Sequence, residues 1–164
     1  MNQKPKPQMH RWQFLLLVFL VGPLFIIGFP VAVVVFALYL IGMAFLYLII
    51  WALWNTRGKD ILFVYSDSPI WQEYVETQIL PRIASRAVIL NWSQRKKWRL
   101  SFARFVFINF GGYRAFNPLG VVFHPWCKGK VFRFWQPFRD YKHGNTAALE
   151  KMQKEFFETV GIQL

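Results

Sequence analysis

The chain has 164 residues, with 20 Lys+Arg against 8 Asp+Glu and a net charge of +12, yet it is 55% hydrophobic and 20% aromatic. That apolar content excludes disorder through lack of hydrophobic residues, and a single Cys excludes a disulfide framework. Strong positive charge and high apolar content fit together most simply in a chain split between a membrane segment and a basic domain.

Residues 1–13 read as a basic cytoplasmic tail, with Lys4, Lys6 and Arg11 and no acid. From Phe14 to Trp54, 41 consecutive residues include no charged, amide, hydroxyl or imidazole side chain other than the phenols of Tyr39 and Tyr47. One straight helix of that length would measure about 60 Å at ~1.5 Å per residue, twice the ~30 Å of a bilayer core. Two arms fit the thickness better, and Gly28-Phe29-Pro30 is the natural break, since Pro30 lacks an N–H and disfavours helix before it. Both flanks are basic, Arg57 and Lys59 following the block, and basic flanks stay in the cytoplasm. The expectation is therefore a membrane hairpin over 14–54 with both ends cytoplasmic. A re-entrant wedge, or an interfacial first helix followed by one pass, are the alternatives. Trp12, Trp51 and Trp54 stand near the ends, where indoles favour the interface.

Residues 57–164 are long enough for an independent core. Ile61–Tyr65 is a short apolar run suited to a buried strand. Ser68 and Pro69 suggest the cap and first position of a helix to about Ser85, with Pro81 a kink or early stop. Ala87–Leu90 is a second strand. Ser93 to about Asn109 reads as a strongly basic helix ended by Gly111-Gly112. Leu119–His124 is a third strand, Lys128-Gly129-Lys130 a turn, and Val131–Trp135 a fourth strand in a hairpin. Asn145-Thr146 opens a last helix to about Val160. The order β-α-β-α-β-β-α predicts an α/β fold: a small mixed sheet, parallel at first and antiparallel at the final hairpin, with helices on both faces.

This order resembles the thioredoxin-like fold over nearly all of residues 60–162. Pro118, just before the third strand, stands where that fold carries a cis-proline, and Ile61–Tyr65 resembles its first core strand. The resemblance implies a redox site with two cysteines at the start of the first helix, because one thiolate attacks and the other resolves. Here that region reads Ser66-Asp67-Ser68-Pro69-Ile70-Trp71, and the lone Cys127 has no partner. Thiol–disulfide exchange by that mechanism is thereby excluded. The chain also looks like a bacterial membrane-anchored family, which implies the inner membrane and adds no activity.

Three sets of residues are candidates for function. Between Glu76 and Asp140 there is no acid and there are 12 Lys+Arg. The densest group is Arg95, Lys96, Lys97, Arg99 and Arg104, interleaved with Trp98, Phe102, Phe105, Val106 and Phe110. A basic amphipathic helix of this kind binds anionic lipid, although the aromatic face equally suits a core. The second set is Ser66, Asp67 and Ser68 with Asn117 and Pro118, at the strand end where α/β sheets bind ligands. There Asp67 is a conceivable general base, and ordinary capping explains the same residues. The third set, Arg133, Trp135, Phe138, Arg139 and Tyr141, lies in a segment read as a loop and has the residue types of a protein-binding surface. His10, His124 and His143 are scattered, so no metal site or cofactor is expected, and nucleic acid is disfavoured. The leading expectation is a non-enzymatic accessory or scaffold protein, its head on the cytoplasmic face binding a protein partner or anionic lipid. The rival is an enzyme on a lipid-linked or anionic substrate, using Ser66–Ser68 and Asn117–Pro118.

Overall fold

The structure, a computed structural model, describes residues 11–98, 100–111, 116–124 and 129–162. Arg99, Arg114, Gly112, Cys127, Lys128 and the tail through His10 lie outside the described residues. The chain forms two compact units, Met1–Leu48 and Ile49–Leu164.

The first unit is helical throughout its described length. Helix α1 (Arg11–Leu53) starts there, and it corrects the expected hairpin: the helix passes Gly28-Phe29-Pro30 without a break. Pro30 removes one N–H from the ladder, but no polar side chain nearby offers the backbone an alternative partner, so helical bonding resumes around it. Every side chain from Ile26 to Gly42 is exposed. Among the described residues there is one helix long and apolar enough to cross a membrane, Ile26–Arg57.

The second unit opens with the last turn of α1 and a tight turn Asn55–Arg57. Gly58 closes that turn at φ 68°, a conformation that glycine adopts without strain. Strand β1 (Ile61–Tyr65) follows, then a helical stretch of α2 (Gln72–Tyr74), a widened π-turn (Val75–Ile79) and α3 (Leu80–Ile83). The π-turn lies just ahead of Pro81, which cannot bond back to Thr77; the Leu80 N–H donates instead to the Val75 carbonyl. Strand β2 (Ala87–Asn91), helix α4 (Phe102–Gly111), strands β3 (Leu119–Val122) and β4 (Lys130–Arg133), and helices α5 (Trp135–Lys142) and α6 (Ala147–Val160) complete the unit.

The sheet order is β2-β1-β3-β4. β1 is parallel to β2 and antiparallel to β3, and β3 is antiparallel to β4. All five residues of central β1 are buried, as an unbroken apolar run requires when both faces are covered. Ile61, Phe63 and Tyr65 turn to a core with Val75, Ile79, Ile83, Phe138, Phe156 and Phe157. Leu62 and Val64 turn to the other face, opposite Val121 and Leu119, where α4 packs on β1 and β3. On that face the Phe123 ring meets Trp54 at 5.9 Å and Phe110 at 5.0 Å.

Two further expectations are corrected. The basic helix does not begin at Ser93. Trp92–Gln94 is a single 3-10 turn, Arg95–Trp98 are turns, and α4 starts only at Phe102. Asn91 accepts the Ser93 N–H through its side chain at 2.9 Å, and the Trp98 indole donates to the Asn91 carbonyl at 3.0 Å, folding this stretch back on itself. The segment read as a loop, around Trp135–Lys142, is helix α5. Pro137 sits in its first turn, where the missing N–H has no helical partner to lose.

Candidate functional site

The carboxyl end of β1 carries the first candidate set. The Asn91 side-chain amide donates to Asp67 Oδ1 at 2.5 Å, and the Asp67 N–H donates to Ser93 Oγ at 3.0 Å. The Trp71 indole donates to Ser66 Oγ at 3.2 Å, and Ser68 Oγ accepts the Ile70 N–H at 3.4 Å. Val64 pairs with Leu119, so continuing that register brings Pro118 beside Tyr65 and Asn117 to the same end of the sheet. The Asn117–Pro118 bond is cis, and Asn117 is the buried polar residue of the domain among those described. Ser66, Asp67 and Ser68 thus lie at the same end of the sheet as Asn117 and Pro118. The sequence reading missed Asn91 and Ser93, whose side chains tie the ends of β1 and β2. These bonds engage Ser66, Asp67 and Ser68 in turn geometry.

Next to this network the Tyr65 hydroxyl donates to Glu76 Oε1 at 3.2 Å. Burial, then the Glu76 charge, raises its pKa above the usual 10.0. Tyr74 is also raised, by burial first and by Tyr141 next, while its hydroxyl donates to Gln153 at 2.6 Å. A raised phenol favours the neutral form in the folded state. Its contribution is full below pH 10 and is lost as pH rises through the folded-state value. Thermal melts taken upward from pH 10 should therefore fall more steeply for the wild type than for a Tyr65→Phe/Tyr74→Phe variant. Equal slopes would contradict this.

The third candidate set divides. Phe138 is fully buried, which corrects its assignment to a surface: once the segment is helical, Phe138 points into the core against Phe134, Trp71 and Tyr74. Arg133, Arg139 and Tyr141 are exposed. The Arg139 guanidinium lies 5.2 Å over the Trp135 ring, which also meets Phe116 at 5.0 Å. Arg133 donates to the Gly111 carbonyl at 3.3 Å.

The basic set is on the surface. Arg95, Lys96 and Lys97 are exposed, and none has an ion-pair partner among the described residues. Arg95 stacks over Trp92 at 5.5 Å, and Lys97 donates to Gln94 at 3.3 Å. Arg104 is half-buried. Of the expected aromatic face, Val106 is buried, Trp98, Phe102 and Phe110 are half-buried, and Phe105 is exposed. Buried Phe107, not picked out in the sequence, packs on Trp92 and Trp98 at 5.6 and 6.2 Å. Leu100 and Ile108, also not picked out, stand in solvent at 102% and 51% exposure.

A cleft of about 430 Å³ opens elsewhere in the second unit, lined by Trp51, Asn55, Thr56, Gly58, Asp60 and Arg86. Arg86 pairs with Asp60 and donates to the Val160 carbonyl at 2.7 Å, so its charge is committed to joining β1, β2 and α6. Among the described residues no three His, Cys, Asp or Glu side chains converge as metal ligands. Comparison with protein-family models, curated proteins and solved structures finds no match to this chain.

Proposed function

We propose that this is a membrane-anchored accessory or scaffold protein: one crossing helix carries a basic, thioredoxin-like head without redox chemistry on the cytoplasmic face of a bacterial inner membrane. The head binds an anionic partner. The observation that carries this reading is the unbroken α1, with every side chain from Ile26 to Gly42 exposed. Water does not support such a surface, and a bilayer does. Orientation follows from the nearest cations. Arg57 closes the candidate span and Lys59 follows at once, whereas Arg11 lies well upstream of Ile26, so basic charge is denser on the head side.

Support for the thioredoxin-like reading comes from the sheet order β2-β1-β3-β4, the parallel β1–β2 pair and Pro118 leading into β3. Support for a non-catalytic role comes from the serine–aspartate end of β1, whose polar atoms are engaged by Asn91, Ser93 and Trp71. In a strain lacking the gene, Ser66→Ala/Asp67→Asn and Cys127→Ser should both restore full function. A null Ser66→Ala/Asp67→Asn would transfer the reading to an enzyme on an anionic substrate. A null Cys127→Ser would transfer it to redox work.

A further inference from the structure

The basic turn and the α4 residues Phe105 and Ile108 all stand on the surface of the second unit, within one stretch of chain. Arg95, Lys96 and Lys97 project from the turn, and Leu100 is wholly exposed beyond them. Phe105 and Ile108, one helical turn apart on α4, are 55% and 51% exposed. Single exposed apolar side chains are ordinary. Three within nine residues, flanked by three cations and no acid, are the composition of an element lying at a lipid interface.

We infer that this surface, Arg95–Lys97 with Leu100, Phe105 and Ile108, docks onto an anionic lipid bilayer; the inference rests on the membrane-anchored reading above. Leu100, Phe105 and Ile108 enter the boundary between headgroups and acyl chains, and the cations meet lipid phosphates. Two observations choose lipid as the occupant. The first is charge complementarity combined with apolar contact: a bilayer edge offers anionic headgroups and hydrocarbon side by side, whereas a nucleic acid offers no hydrocarbon for Leu100 and Ile108. The second is continuity with the anchor. The Phe102 ring, at the start of α4, packs edge-on to Trp54 at 5.5 Å, and Trp54 belongs to the span Ile26–Arg57. The docking helix thus begins in contact with a residue at the end of the candidate crossing. Tethering makes a weak surface sufficient. Three cations amount to about a hundredfold preference for an anionic over a neutral surface.

The test uses the full chain in a Cys127→Ser background, reconstituted into sealed vesicles. An environment-sensitive fluorophore is placed at Leu100→Cys or, as the anchor control, at Leu38→Cys, and quenched by spin-labelled lipid. The Leu38 reporter should be quenched in phosphatidylcholine vesicles and equally in vesicles containing phosphatidylglycerol. The Leu100 reporter should be quenched only with phosphatidylglycerol. Quenching should fall about a hundredfold in docked-to-free ratio when Arg95, Lys96 and Lys97 become Gln, and fall likewise at 1 M salt, where the Debye length is ~3 Å. An unquenched Leu38 reporter would overturn the anchor reading itself. A quenched Leu38 reporter with Leu100 in water in both vesicle types would overturn the docking proposal alone. Shielding of Leu100 in native membranes, but not in protein-free anionic vesicles, would replace lipid with an anionic protein and equally overturn it.

Discussion

Phe156→Ala should destabilise the second unit by about 3–5 kcal/mol, the cost of removing a buried ring and leaving a cavity. Phe156 is fully buried on α6. Its ring lies 6.1 Å from Phe63, 5.2 Å from Phe132, 5.6 Å from Phe134 and 5.6 Å from Phe157, so one residue joins β1, β4 and α6. A domain stable by about 5–15 kcal/mol has little margin for such a loss. The comparison is Phe105→Ala, the same deletion on an exposed side chain, which should change stability by no more than about 0.5 kcal/mol. Denaturant unfolding of the detergent-solubilised chain, followed by near-ultraviolet circular dichroism, measures both. Similar costs for the two variants would contradict the assignment of one ring to the core and the other to the surface.

Val34→Lys combined with Ile41→Lys should strip the chain from alkali-washed membranes. Both positions lie in the exposed apolar stretch of α1. Each lysine at the centre of a crossing costs about 2.5–3.5 kcal/mol, against about 0.3–0.6 kcal/mol gained per large apolar residue. Two lysines therefore cancel about half or more of what ~20 apolar residues supply. The wild type should remain wholly in the pellet, and the variant should move largely to the supernatant. A variant retained as firmly as the wild type would mean that this stretch is not held by lipid.

Where local chemistry alone decides structure, the sequence was readable. Ile61–Tyr65 is an uninterrupted apolar run and forms a strand with those same limits. The last helix likewise follows from Leu149, Phe156 and Phe157 sharing one face. The misreadings came where distant or repeated contacts outweigh a local signal. Pro30 signals a break, but the ladder on either side of it is continuous. The segment dense in aromatic and basic residues after β4 reads as a loop, but Phe138 gains a core made by β1 and α6 and draws the segment into α5. The basic stretch after Asn91 has helical spacing, but Trp92 and Trp98 pack edge-on against Phe107, and Arg95–Trp98 are turns.

The candidate surfaces follow the same division. Charge is legible because no acid interrupts the run from Arg82 to Arg139, so the cationic surface was named from sequence. Which apolar residues stay outside is not legible. Phe105, Val106 and Phe107 are consecutive and equally apolar, and only the packing of α4 against β1 and β3 exposes the first and buries the other two.

The most direct measurement is the sidedness of the two ends of the chain. In a Cys127→Ser background, Asn2→Cys and Glu158→Cys are each treated with a membrane-impermeant maleimide, in intact spheroplasts and after permeabilisation. A single crossing by α1 predicts that Asn2→Cys reacts in intact spheroplasts and Glu158→Cys only after permeabilisation. Reaction of both from the same side would contradict it.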